Sequence, residues 1–365
     1  MNTKHRIGID FKDEGTGSEL SAREVLDLAR QAEAAGFESM WLNEDIGRDS
    51  IAMLAAISTT TKSIGVGTAI INVYTRSAFQ IAMAAATLDE LSQGRARLGL
   101  SVGHHPWNDL AHGIPLEAPL ARLREYVQFI RKALSGKQFT HDGRFFSGVN
   151  SKLGINQPRP DLPIYIGATR SRMVALAGEV ADGLLTNVVS PYYIANFTAQ
   201  QFHDAVRKAG RDPNRMELTA IATCCAHDDR SAALGYARAT FMQRFRSNPD
   251  RMIETQRPEY RDELVALRDL IRLGEIERAQ DRVSEPLATS FIAAGNGADI
   301  RRALDSYFTA GCTRVIVAPF PRGRLSAERL IKALADEEYE GTVVETHSHS
   351  SFPDRVVRGK FVHQG

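Results

Sequence analysis

The sequence predicts an α/β protein of the closed (β/α)8, or TIM-barrel, kind, and three observations carry that prediction. Short β-branched apolar runs alternate with longer segments of helical period, the pattern of βα units that feed a parallel sheet. The runs fall at Arg6–Phe11, Ser39–Asn43, Ser63–Ile71, Ala96–Val102, Pro163–Gly167, Gly183–Val188, Glu217–Thr223 and Arg314–Ala318, and eight such strands with intervening helices close into a barrel. No G-x-G-x-x-G turn follows the first run, which argues against an open sheet that binds a dinucleotide.

Each element has a local reason. Pro163–Gly167 and Arg314–Ala318 are continuous apolar runs, as expected of strands buried on both faces. The helix Ala22–Ala35 follows Ser21, whose hydroxyl suits an N-cap, and stops before Gly36, which takes a left-handed conformation without penalty. Further helices are predicted at Asp49–Thr60, Ala78–Leu91, Leu120–Leu134, Met173–Val180, Ile194–Ala209, Ser231–Arg244, Asp299–Ala310 and Ser326–Ala335. Two stretches exceed a minimal barrel. Asn248–Val283, between the seventh and eighth strands, is so charged that it is expected to form a helical insertion with little apolar area to anchor it, mobile over the barrel mouth until substrate binds. The chain thus divides into a barrel over residues 1–337, with its insertion at about 248–283, and an extension over 338–365 rich in His, Ser and charge.

Composition narrows the function classes. Of 365 residues, 43% are hydrophobic and 24% charged, with a formal net charge of +1, so no global field points to nucleic acid or to an anionic membrane. Cys224, Cys225 and Cys312 form no CxxC pair and no ligand spacing with histidine, which suggests a reducing compartment and no structural metal. The opening MNTKHRIGID lacks the apolar core of a signal peptide, and no apolar run is long enough to span a bilayer. These features predict a cytoplasmic protein with no nucleic-acid or membrane partner.

The run GVGTAIINVYTRSAFQIAMAAATLDELSQGRARLGLSVG (Gly65–Gly103) resembles the bacterial-luciferase-like monooxygenase superfamily, and within it the deazaflavin branch that contains methylenetetrahydromethanopterin reductase. GIDF (Gly8–Phe11), GFESMWLNEDIGRDS (Gly36–Ser50) and LPIYIGATRSRMVALAGEVADGLL (Leu162–Leu185) agree with it in order. The similarity covers most of residues 5–335. It implies a (β/α)8 barrel and hydride transfer between coenzyme F-420, a 5-deazaflavin, and an organic small-molecule substrate. A monooxygenase using reduced FMN is the alternative, and a non-catalytic barrel relative a lesser one, set against by the polar strand ends at Asp10, Glu44, Asn72 and Gly167. The resemblance also implies a homodimer, formed by the helices after the second and third strands, where MLAAI (Met53–Ile57) and AMAAATL (Ala82–Leu88) supply small apolar residues.

A barrel of this type carries its site at the C-terminal strand ends. The catalytic candidates are Asp10, at the end of the first strand, and Glu44, at the end of the second. Asp10 is either a loop-capping carboxylate or a general acid; the matching position in the reductases is a glutamate with that role, one methylene longer. Glu44 and Asp45, adjacent on a strand end, face opposite ways. One is expected at the coenzyme ring and the other capping the helix near Arg48–Asp49. Many deazaflavin relatives read Asp-His here, and the missing histidine weighs against a histidine-based alcohol oxidation. The cofactor-binding candidates are Thr68, Ala69, Ile70 and Asn72 after the third strand, Ser101, Gly103 and His104 after the fourth, Gly167, Ala168 and Thr169 after the fifth, and Asn187 after the sixth. The resemblance implies a cis non-prolyl bond at Ala69–Ile70, against the coenzyme ring. Gly167–Ser171 leads into a helix N-terminus and is either a phosphate site or a plain capped helix. His105 and Trp107 are candidate substrate contacts; His104 and His105 lack a third ligand and make a poor metal site.

Overall fold

The computed structural model describes residues 6–11, 20–44, 47–103, 111–156 and 158–335. Strands β1 (Arg6–Asp10), β2 (Ser39–Leu42), β3 (Gly65–Thr68), β4 (Ile71–Asn72), β5 (Ala96–Ser101), β8 (Ile164–Gly167), β9 (Gly183–Asn187), β10 (Glu217–Ala226) and β12 (Arg314–Pro319) pair in parallel. β12 pairs with β1, and β9 with β10, so the sheet closes on itself as an eight-stranded barrel in which β3 and β4 share one position. Every strand expected from the sequence is present.

Helices α1 (Ala22–Ala34), α2 (Ser50–Thr60), α3 (Ala78–Leu91), α4 (Pro119–Leu134), α5 (Ser171–Val180), α6 (Ala199–Lys208), α7 (Arg230–Ser247), α8 (Pro249–Thr255), α9 (Arg261–Arg272), α10 (Ile276–Asp281), α11 (Glu285–Thr289), α12 (Gly297–Thr309) and α13 (Arg324–Ala335) complete the frame. Ser21 and Glu24 cap α1 reciprocally, each side chain accepting from the other's backbone amide. The helix expected at Ile194–Ala209 is present, but it starts earlier and is π-helical in its first part. A short turn at Pro191–Tyr193 runs through a π-helical segment, Ile194–Thr198, into α6.

Alternation of side chains along each strand sorts the barrel interior into layers. Trp41 and Tyr165 fill its middle, edge to face with ring centroids 5.5 Å apart. Glycines make the room: a Cβ on Gly67 would lie 2.4 Å from the Trp41 ring, and one on Gly183 2.4 Å from Tyr165. Below them Arg314, with no exposed side-chain surface, joins Arg6, Arg97, Glu38 and Glu217 in one ion network that also takes the Tyr165 hydroxyl. Burial raises the Glu38 carboxyl, but the Arg314 and Arg97 guanidiniums outweigh it and hold it at about 2. Burial pushes the Tyr165 phenol up to about 12.

The structure adds two elements. A hairpin, β6 (Phe139–Asp142) and β7 (Ser147–Ser151), follows α4, and β11 (Ile292–Gly295) follows the insertion. β10 is long enough to serve both barrel and insertion. It pairs with β9 over Glu217–Ile221 and with β11 over Thr223–Ala226, while β12 lies along its other edge. The expectation that the insertion lacks apolar area is overturned. Phe241 and Phe245 of α7, Met252 of α8, Leu264, Leu267 and Leu270 of α9, and Val283 build a second buried core with Cys225 of β10. The charges face outward because α9 is strongly amphipathic, with apolar residues at helical spacing on one side. The extension at 338–365 lies outside the described residues.

Candidate active site

The site is built where β3 gives way to β4. β3 runs level with β5 at Val66↔Ala96 and Gly67↔Arg97, but β4 resumes at Ile71↔Leu100 and Asn72↔Ser101, so this edge carries one extra residue. Thr68 bridges the gap: its buried hydroxyl donates to the Gly99 carbonyl and accepts from the Gly99 amide, both at 2.8 Å. The Ala69–Ile70 peptide bond within the bulge is cis. The Ala69 amide donates to the Leu42 carbonyl at 2.7 Å, and the Ile70 carbonyl accepts from the Glu44 amide at 3.1 Å. The bulge is thereby tied to the end of β2, and Thr68 ties it to β5.

Around it lie the other strand ends. Asp10 is wholly buried, beside Trp41 in the β1–β2 register. Ser101 donates its hydroxyl to the Gly167 carbonyl at 2.8 Å. Gly167 has no room for a side chain, since a Cβ there would approach the Ile70 Cγ2 to 2.9 Å and the Ser101 Cβ to 3.2 Å. The Ala168 amide donates to the Leu185 carbonyl at 2.8 Å, fixing β8 against β9. Asn72 accepts from the Tyr74 amide at 3.0 Å and Asn187 from the Val188 amide at 2.8 Å, so both side chains shape the turns after their strands. Gly103 has φ +72°, a conformation that favours glycine. His104, His105, Trp107 and Asp45 lie outside the described residues.

The structure gives Glu44 a partner that sequence reasoning missed. Its two carboxylate oxygens accept from Arg76 at 3.0 and 2.6 Å, and Arg76 also reaches Asp49 at 2.7 Å. The α2 cap is Asp49 itself, which accepts from the Ala52 amide at 2.9 Å; Glu44 is not the cap. Arg76 stands within the INVYTR run, but its pairing across 32 residues had no sequence signal. Arg251 of the insertion was also missed, and it donates to the Thr169 carbonyl at 2.7 Å.

A parallel barrel whose strand ends converge on a cis bulge, an enclosed carboxylate and a glycine-floored loop defines a (β/α)8 enzyme with its site at the C-terminal mouth. The chain belongs to the luciferase-like monooxygenase family, whose model matches residues 5–314. It is 31% identical over 320 residues to 5,10-methylenetetrahydromethanopterin reductase of Methanolobus tindarius, covering 86% of this chain and 94% of that one. An F-420-dependent glucose-6-phosphate dehydrogenase of Microbacterium testaceum is 26% identical over 246 residues, covering 64% of this chain and 73% of that one. Among solved structures, the F-420-dependent tetrahydromethanopterin reductase of Methanopyrus kandleri superposes with a TM-score of 0.78 at 23% identity, over 92% of this chain and 98% of that one.

Proposed function

We propose that this protein is an oxidoreductase that transfers hydride between coenzyme F-420 and an organic small molecule. The observation that carries the reading is the mouth itself, where the Ile70 side chain of the cis Ala69–Ile70 bulge and Ser101 lie directly against Gly167, with Asp10 enclosed at the end of β1. The residues fit a flat ring: Ala69, Ile70, Gly167 and Ala168 present backbone and small apolar groups, and Gly167 lacks the Cβ that would displace Ile70. The likeness to F-420-dependent relatives supports the deazaflavin over FMN. When bound, the deazaflavin supplies or accepts the hydride.

The chain's own residues do the rest. Asp10 holds the proton that accompanies the hydride. Ala69 and Ile70 set the face that the ring presents, braced by Thr68 and Asn72. Ser101, Gly103 and Asn187 would border the ring and its ribityl chain, and His104 is proposed as a further coenzyme contact from the sequence alone. Gly167, Ala168 and Thr169 receive the phosphate at the start of α5, where no side chain caps the helix. Glu44 holds Arg76, and so sets the spacing of the β2 and β4 ends. From the sequence alone, His105 and Trp107 are proposed to contact the substrate. Titrating the protein with F-420 and with FMN tests the reading: tight F-420 binding is expected, and tight FMN binding with none for the deazaflavin would overturn it.

The enzyme acts as a cytoplasmic homodimer in this reading. Support for the dimer is confined to Ala52 and Met83, which are exposed, and Ala55 and Ala56, which are half-buried; Leu54, Ile57, Ala82, Ala85, Ala86 and Leu88 pack into the barrel's own core. A monomer in light scattering at micromolar concentration would refute it. The three free, buried cysteines accord with a reducing compartment.

A further inference from the structure

The insertion meets the candidate phosphate loop through a cation. Arg251 Nη2 donates to the Thr169 carbonyl at 2.7 Å, and the guanidinium lies over the Tyr193 ring, 5.1 Å from its centroid. The side chain is 22% exposed, and the carboxylate beside it, Glu254, stands at 3.4 Å and is 68% exposed. An ion pair that open to water is weak, so the carbonyl and the ring are what fix the guanidinium. α8 is itself seated on the barrel, because the buried Ser190 hydroxyl donates to the Thr255 carbonyl at 2.9 Å.

A trans peptide holds its C=O and N–H on opposite sides. Drawing the Thr169 carbonyl toward the insertion therefore turns the Arg170 N–H away from it. That N–H donates to no acceptor among the described residues, and Arg170 heads α5 without a side-chain cap. Backbone amides in this place favour an anion, and a bond from such a donor to an anion is stronger than one to a neutral acceptor.

We propose that Arg251 is a positioning residue: the insertion uses it to lock the Thr169–Arg170 peptide so that the Arg170 N–H is presented to the phosphate of the coenzyme. The inference rests on the reading of Gly167–Thr169 as the coenzyme's phosphate loop. Without the guanidinium, the peptide plane is free to rotate, and the donor is lost at the phosphate end alone. Arg251 never touches the ligand; it acts through the backbone it holds.

The test is a comparison of two ligands, coenzyme F-420 and the same deazaflavin carrying only its ribityl chain and no phosphate. Affinities are measured by fluorescence titration for the wild type, Arg251→Met, Arg251→Lys and Arg257→Ala, with circular dichroism as the check on folding. Arg251→Met is expected to weaken F-420 by roughly tenfold and to leave the phosphate-free ligand unchanged. Arg251→Lys recovers part of the loss, since an ammonium still donates to the carbonyl but does not form the flat stack on Tyr193. Arg257, which lies over Tyr192 at 5.8 Å, is the control, and its removal changes neither affinity. Equal losses for the two ligands, or no loss for F-420, overturn the proposal. If Arg251→Met fails to fold, Arg251→Lys decides by the same criterion: a loss confined to F-420 supports the proposal, and any other pattern overturns it. A wild type that binds neither deazaflavin overturns the functional reading and the proposal with it, an outcome visible before any variant is made.

Discussion

At its N-terminal end the barrel is closed by charge: Arg6, Arg97 and Arg314 interleave with Glu38 and Glu217, and the Tyr165 hydroxyl joins them. At its C-terminal end the strands finish in Ala69, Ser101, Gly167 and Asn187, with Asp10 enclosed beside them. The same strands thus begin in one ion network and end chiefly in backbone and small groups, with the Glu44–Arg76 pair beside β2 and β4. Saturated charges hold strands together and have nothing left to offer a ligand. Small residues leave room for one, and an enclosed acid gives it chemistry.

The largest expected effect breaks the closed end. Arg314→Met leaves the half-buried Glu38 and Glu217 with one cation fewer, and should cost about 3 kcal/mol of stability in chemical denaturation, the lower end for breaking a fully buried pair. A loss under 1 kcal/mol would mean that the network contributes little to holding the barrel shut. At the open end, Asp10→Asn keeps the volume and removes the acid. Turnover should fall by roughly a hundredfold with coenzyme affinity nearly unchanged. Unaltered turnover would assign Asp10 to structure. Next comes Gly167→Val, whose added carbons would press on Ile70 and Ser101. F-420 affinity should fall roughly tenfold while the circular dichroism spectrum is preserved; normal affinity would place the phosphate elsewhere.

The smallest effect is a slope that appears only in acid. The Glu38 carboxyl ionises at 4.5 in its ordinary state and at about 2 in the fold. A depressed folded value gives stability that is complete above 4.5 and lost as pH falls toward 2. Acid denaturation of the wild type should therefore show a slope in this window. Arg314→Met should flatten it, because Glu38 returns toward its ordinary range. An undiminished slope in Arg314→Met would detach the acid sensitivity from the closed end.

The barrel was legible because buried strands advertise themselves as short apolar runs, and each expected strand is found. The mouth was legible to the extent that a strand end names the residues on it, as with Asp10 and Gly167. Pairings between distant segments were not. Nothing local ties Glu44 to Arg76 or Arg251 to Thr169, since closure of the barrel and seating of the insertion create both contacts. Other omissions had a signal that was outweighed. Leu264, Leu267 and Leu270 recur at three-residue spacing inside a charged segment, the stripe of an amphipathic helix with a buried face. Asp142–Gly143, between Phe139 and Phe146, is a hairpin turn signature, and β6 and β7 flank it.

β10 runs through both cores, with Ile221 packed among the barrel's inner residues and Cys225 among those of the insertion. The insertion is therefore not a cassette that can be cut out at its two ends. A graft onto another barrel must carry the upper half of β10 and all of β11, and a deletion between Asn248 and Val283 would expose Phe241, Phe245 and Cys225 to water. Diversification of this mouth is then constrained to substitutions on the exposed surface of the inserted segment, at positions such as Arg257, while its length and register stay fixed by the strand that anchors it.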